Sequence, residues 1–207
     1  MLLALVDAEN RGFELIVDQC TGEGSSLEWH WKNLPSREAI TGNRWDYVVL
    51  QDRSGGPLEE PDSFERYAGL LDAEIRKQDS RTIFYMTWAN CTRPGSQAVL
   101  ADAYSKIALK YGAAMAPVGL AWKAVHRIAP DMDLYHTDGR HANPIGSYLA
   151  ACVFYSVLFN TSPEGLPGTF RFKGKKRLDL KKDQGLLLQK VAWETVLNSE
   201  VGRRKVE

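Results

Sequence analysis

Trp45-Asp46-Tyr47-Val48-Val49-Leu50-Gln51, running into Asp52-Arg53-Ser54, is the stretch that decides the fold. Aromatic and β-branched residues fill it, as suits a β-strand. Its apolar residues run together rather than alternating with polar ones, so both faces expect cover, the habit of a strand inside a parallel sheet. The run then stops in a polar loop. Working outward, the same pattern returns at residues 82–86, at 13–17 and, more weakly, at 114–118.

Helical segments separate these runs, at residues 63–78, 97–111 and 120–129. Within 97–111, Val99, Ala103, Ile107 and Tyr111 recur every four positions and predict one buried face. Residues 145–159 repeat that spacing with Ile145, Leu149, Val153 and Val157. A last helix is expected over 180–198, with Leu187, Val191 and Ala192 inward. Alternating strands and helices of this kind imply an α/β fold with a parallel sheet covered on both faces. In such folds the chemistry sits beyond the carboxyl ends of the strands.

The 207 residues suit one domain, expected over 1–200, with 201–207 as a disordered tail. Lysine plus arginine and aspartate plus glutamate balance at 26 each. No global field therefore draws the chain to nucleic acid or to an anionic membrane. No apolar run reaches membrane-spanning length. Cys20, Cys91 and Cys152 show neither metal-ligand spacing nor a disulfide framework, and no cofactor or metal is expected. Residues 171–182 hold seven basic side chains in twelve, read as a solvated loop.

Chemistry concentrates in Asp138-Gly139-Arg140-His141, just ahead of the apolar segment that begins Asn143-Pro144-Ile145-Gly146. A carboxylate at that spacing fixes one imidazole nitrogen and leaves the other for a reacting group, which is the base half of a hydrolytic triad. The bland alternative is a salt bridge on a surface loop. A metal reading of His136, Asp138 and His141 lacks a further ligand cluster. His30, beside Trp29 and Trp31, and His126, on a helix face, read as ordinary.

Gly24-Ser25-Ser26-Leu27-Glu28-Trp29-His30, Leu50-Gln51-Asp52-Arg53-Ser54 with Pro57, Thr87-Trp88-Ala89 and Pro117-Val118-Gly119-Leu120-Ala121-Trp122 lead in order to the Asp138–His141 turn and the Gly-Ser-Tyr-Leu-Ala-Ala start of the following helix. This series, over residues 24–193, resembles the SGNH (GDSL-type) hydrolase superfamily. It looks closest to a bacterial branch whose third block reads Leu-Gln-x-x-Ser. The resemblance implies a three-layer, flavodoxin-like domain that hydrolyses carbohydrate or lipid esters. It makes His141 the general base and Asp138 its orienting acid. It gives Gly24 an oxyanion N–H, and places Gln51 and Ser54 where relatives carry a Gly-x-Asn-Asp donor. Trp88 would either line the substrate pocket or serve as a buried structural tryptophan.

The resemblance also exposes a departure. No Gly-Asp-Ser or Gly-Asn-Ser turn occurs in the sequence, so the nucleophile and the first strand are expected to be missing. Residues 1–6 read as the last turns of the helix that should follow that turn. In the flavodoxin-like order that strand is interior, and its loss leaves backbone groups unpaired at about 1–3 kcal/mol each if buried. Three accounts stand. The natural start lies upstream, which would also remove any export signal and leaves the compartment unknown. Or the strand at 13–17 pairs directly with that at 47–51. Or another chain donates a strand across the exposed sheet edge, making a homo-oligomer. Ser25, Ser26, Ser54 and Cys91 are the replacement nucleophiles to weigh. The functional expectation is an ester hydrolase acting on a small-molecule or carbohydrate ester, inactive as a shortened chain. Its rival is a non-catalytic carbohydrate- or acyl-binding protein on the same fold.

Overall fold

A computed structural model of the chain describes residues 1–9, 12, 14–172 and 175–202. In chain order its elements are α1 (Leu2–Glu9), α2 (Leu27–Lys32), α3 (Leu34–Thr41), β1 (Tyr47–Leu50), α4 (Gly56–Glu59) and α5 (Pro61–Lys77). Then come β2 (Arg81–Tyr85), α6 (Gln97–Tyr111), β3 (Ala114–Ala116), α7 (Val118–Ile128), α8 (Pro144–Phe159), β4 (Thr169–Phe172), β5 (Lys175–Asp179) and α9 (Lys182–Asn198).

The parallel sheet runs β1-β2-β3, with Val49 opposite Ile83 and Phe84 opposite Met115. Side chains alternate across each strand. Ile83 enters a core shared by α1, α7, α8 and α9, whereas Leu50, Phe84 and Met115 enter a second core with α2, α3, α5 and α6. The sheet thus separates two helical layers, the expected α/β arrangement. Nearly every residue of α8 from Gly146 to Val157 is buried, as befits a helix without a solvent face.

Several local expectations change. On α6 the inward face is Leu100, Tyr104, Ile107 and Ala108, and Val99 is 55% exposed. Ile107 belongs to both sets, but packing under β2 turns the stripe by one position. On α9 Leu188 and Ala192 are fully buried, with Val191 beside them, and Leu187 is half-buried. The basic segment is no simple loop: β4 and β5 form an antiparallel hairpin that buries Phe170 and Leu178 against the α8 side. Residues 173–174 of that segment and 203–207 of the tail lie outside the described residues, and residues 201 and 202 are buried rather than loose.

The strand expected at 13–17 does not form. Phe13 lies outside the described residues, and residues 14–20 have no regular secondary structure. They do not pair with β1 either, so the sheet has not closed up. Ile16 and Val17 remain 73% and 57% exposed. A strand needs a neighbour to bond, and this segment stands off from the one it would need.

Candidate active site

β1 and β2 end on the same side of the sheet, and the loops that leave them meet the turn before α8. Asn143 builds that turn from one end. Its side-chain oxygen accepts from the N–H groups of Ile145 and Gly146 at 2.8 and 2.9 Å, while its amide donates to the Asp133 carbonyl at 2.8 Å. With Pro144 at the first turn, this is a fixed helix start. A single bridge between Tyr135 and Ala142 closes the other end.

Within this frame Asp138 Oδ2 sits 2.6 Å from His141 Nδ1. Its other oxygen accepts the backbone N–H groups of Arg140 and His141 at 2.8 and 2.9 Å. The hydrogen bond to His141, with the two backbone bonds behind it, holds the Asp138 carboxyl well below the usual carboxylate range. A carboxylate bound this way assigns the Nδ1–H tautomer and leaves Nε2 as the free acceptor. The His141 side chain is 81% exposed. Among the described residues no hydroxyl or thiol bonds its Nε2.

Gly139 has φ +66°, and a Cβ there would lie 2.4 Å from Cys91 Sγ. The Cys91 N–H donates to the Gly139 carbonyl at 3.0 Å. Cys91 therefore props the turn. Trp88 props it too: its indole donates to the Arg140 carbonyl at 2.8 Å, and its ring stacks on Trp122 at 4.1 Å between centroids. Trp88 is not among the residues that line the groove beside β1, and these contacts match the structural role, one of its two expectations.

That groove, about 670 Å³, runs beside β1, and His141 is part of its lining. Gly24, Ser25, Gln51 and Ser54 share its lining with His141, so four of the residues singled out from sequence come together with the candidate base. Gly24 takes φ +63° and is exposed, a conformation that leaves its backbone open to a ligand. Ser26 is committed elsewhere, accepting the Trp29 N–H at 3.2 Å as the cap of α2. Among the described residues no cluster of three or more His, Cys, Asp or Glu side chains forms that would hold a metal; His136 Nδ1 stands 3.9 Å from Asp138.

Two groups escaped sequence reasoning. Asp52 is 3% exposed beneath the end of β1. One oxygen accepts the Leu27 N–H at 3.4 Å, the other has no partner among the described residues, and burial raises the carboxyl to about 6. It joins the loop after β1 to the start of α2. His30 lies between two hydroxyls, Ser25 Oγ at 3.1 Å from Nε2 and Ser36 Oγ at 2.9 Å from Nδ1. The only available signal was a polar residue at a strand end, and serines on either side of a histidine.

No protein-family model and no curated protein matches the chain. Among solved structures it is similar to a DUF4886 family protein from Bacteroides uniformis, at 22% identity and a TM-score of 0.73, over 96% of this chain and 88% of that one. It is also similar to a candidate SGNH hydrolase from Slackia heliotrinireducens, at 28% identity and a TM-score of 0.55, over 63% of this chain and 78% of that one. The architecture is an SGNH-like α/β fold of flavodoxin type.

Proposed function

We propose that the chain carries the base half, and part of the oxyanion and substrate wall, of an SGNH-type ester hydrolase acting on carbohydrate or lipid esters. The observation that supports this best is the 2.6 Å Asp138–His141 bond at a groove that also presents Gly24 and Gln51. In this reading a hydroxyl at His141 Nε2 attacks the ester carbonyl. Its proton passes to Nε2, an oxygen–carbon bond forms, and the carbonyl oxygen takes the charge. Collapse breaks the bond to the alcohol, which leaves with the proton from His141. Water then repeats the sequence on the acyl-enzyme and restores the hydroxyl. Asp138 keeps the ring in the required tautomer throughout.

Hydrolysis of p-nitrophenyl acetate by the natural gene product, as its own cell makes it, tests the reading. Saturable turnover, one serine labelled by a fluorophosphonate and loss of both in His141→Ala are expected. Neither labelling nor turnover, together with saturable binding of an acetylated oligosaccharide, would establish the non-catalytic binding protein instead. The observation behind that second reading is the exposed His141, whose Nε2 meets no hydroxyl or thiol among the described residues.

A further inference from the structure

The turn at residues 22–25 is closed twice over. The Ser25 N–H and the Ser25 hydroxyl both donate to the Gly22 carbonyl, at 3.2 and 2.8 Å. Glu23 and the left-handed Gly24 stand at its exposed tip. Trp29 packs against the base of this turn. A Cβ on Gly22 would lie 3.2 Å from Trp29 Cη2 and 3.5 Å from Cζ2, so the ring rests directly on glycine backbone. His30 meets the same indole edge-to-face, 4.9 Å between centroids at an interplanar angle of 89°. The Trp29 backbone is fixed as well: its N–H donates to Ser26 Oγ at 3.2 Å, and its carbonyl accepts the Asn33 N–H at 2.8 Å.

A ring held on so many sides is nevertheless 41% exposed. A lone exposed apolar side chain calls for no explanation. This one stands by polar groups that nothing in the fold uses. Among the described residues, the Trp29 indole N–H, the Thr21 hydroxyl and the Glu23 carboxylate make no hydrogen bond. Thr21 and Glu23 are exposed and flank the glycine on which the ring rests.

We propose that Trp29, Thr21 and Glu23 form a stacking subsite that takes one neutral pyranose ring of an oligosaccharide. The C–H face of a pyranose is slightly positive and the face of an indole is negative, so the two attract when stacked. Hydroxyls around the sugar's rim call for both donors and acceptors. A carboxylate accepts from two of them, a threonine hydroxyl donates and accepts, and an indole N–H donates. An acyl chain would cover the same ring but strip water from the carboxylate and the N–H without replacing their bonds. A uronate or a sulfated sugar would meet the like charge of Glu23. The stacked ring would lie beside Gly24, the residue given an oxyanion N–H. That narrows the substrate to an ester of a neutral glycan, a step that rests on the hydrolase reading; the stacking itself does not.

The readout is the indole Nε1–H signal of Trp29 in nitrogen-15 spectra, assigned by its loss in Trp29→Phe. The probes are neutral tetrasaccharides of gluco, manno, galacto and xylo configuration, and at least one should move that signal saturably. In titration calorimetry Trp29→Ala should weaken its binding at least about tenfold, the worth of one aromatic stack. Glu23→Ala, at an exposed turn tip, removes the paired acceptor and should weaken it about fivefold or more. If Trp29→Ala loses its circular dichroism, Glu23→Ala decides alone. Tetrasaccharides that all leave the signal in place, or binding untouched by a folded Trp29→Ala or by Glu23→Ala, would overturn the proposal. So would a shift produced by dihexanoylphosphatidylcholine micelles and by no sugar. Sugar binding without p-nitrophenyl acetate turnover by the natural gene product leaves the subsite standing and counts against the hydrolase reading. Turnover with no sugar-induced shift counts against the subsite alone.

Discussion

Trp88 donates its indole N–H to the carbonyl of Arg140 at 2.8 Å, tying the loop after β2 to the turn that carries the candidate base. The ring is held in turn by Trp122, stacked at an interplanar angle of 4°. The base is thus positioned by a residue far back in the chain, through a bond to backbone rather than to itself.

Trp88→Phe keeps most of the stacked surface and removes that one bond. It should cost about 0.5–1.5 kcal/mol in urea unfolding, the net worth of a single hydrogen bond. In an active protein kcat should fall roughly tenfold with KM little changed, since a base displaced by a fraction of an ångström still leaves the binding wall intact. An unchanged kcat would remove Trp88 from the positioning of His141.

Gly139→Ala meets both a left-handed backbone and the Cys91 sulfur at 2.4 Å. Backbone strain alone should cost about 1–2 kcal/mol, and the clash adds to it. Cys91→Ala in the same chain relieves the clash but not the strain, so the double variant should recover part of the loss. Full additivity in a double-mutant cycle would show that the two residues do not press on each other.

Asp52 provides a pH prediction. Its folded-state value of about 6 stands above the ordinary 3.8, so between those values the folded chain binds the extra proton. Stability contributed by this group is then full below about pH 4 and declines as pH rises through 6. Asp52→Asn, which keeps an acceptor for Leu27, should stabilise the protein at pH 8 by about 1–3 kcal/mol, since each tenfold change in proton affinity is worth roughly 1.4 kcal/mol. The gain should vanish at pH 4. A constant difference at both pH values would mean that the carboxyl is not burdened by burial.

The parallel sheet was legible in advance because β1 and β2 are nearly unbroken apolar runs, although only β2 is buried along most of its length and Val49 of β1 is 45% exposed. The Asp138–His141 pair was legible because both partners lie within one turn. Residues 13–17 carry the same strand signal, and the described ones, 14–17, stay unpaired because pairing depends on what lies across the groove. No window of sequence contains that information. Likewise Trp88, Asp52 and His30 act through contacts with Arg140, Leu27, Ser25 and Ser36 that exist only after the layers assemble. Periodicity located the α6 helix but misplaced its face by one residue, because the sheet, not the helix, sets which side is covered.

His30 permits the most complete hydrogen accounting. Ser25 Oγ donates to the Gly22 carbonyl at 2.8 Å, so it receives rather than supplies the proton in its contact with Nε2. Nδ1 must then accept from Ser36, whose oxygen stands 3.2 Å from Cys20 Sγ. The neutral Nε2–H tautomer satisfies every atom in the chain from Cys20 to Gly22, and it pins the loop bearing Gly24 to α2 and α3. Burial lowers the His30 value below the ordinary 6.5, so the unfolded chain binds the proton more readily. Stability should accordingly be full above about pH 6.5 and decline as pH falls below it. Nitrogen-15 spectra should show Nε2 protonated at about pH 7.5, where the neutral ring dominates. His30→Ala should cost about 1–3 kcal/mol by stranding two part-buried hydroxyls, and should remove that acid-side decline. The opposite tautomer would instead make Nε2 an acceptor for Ser25 and turn this pair into a candidate base and nucleophile.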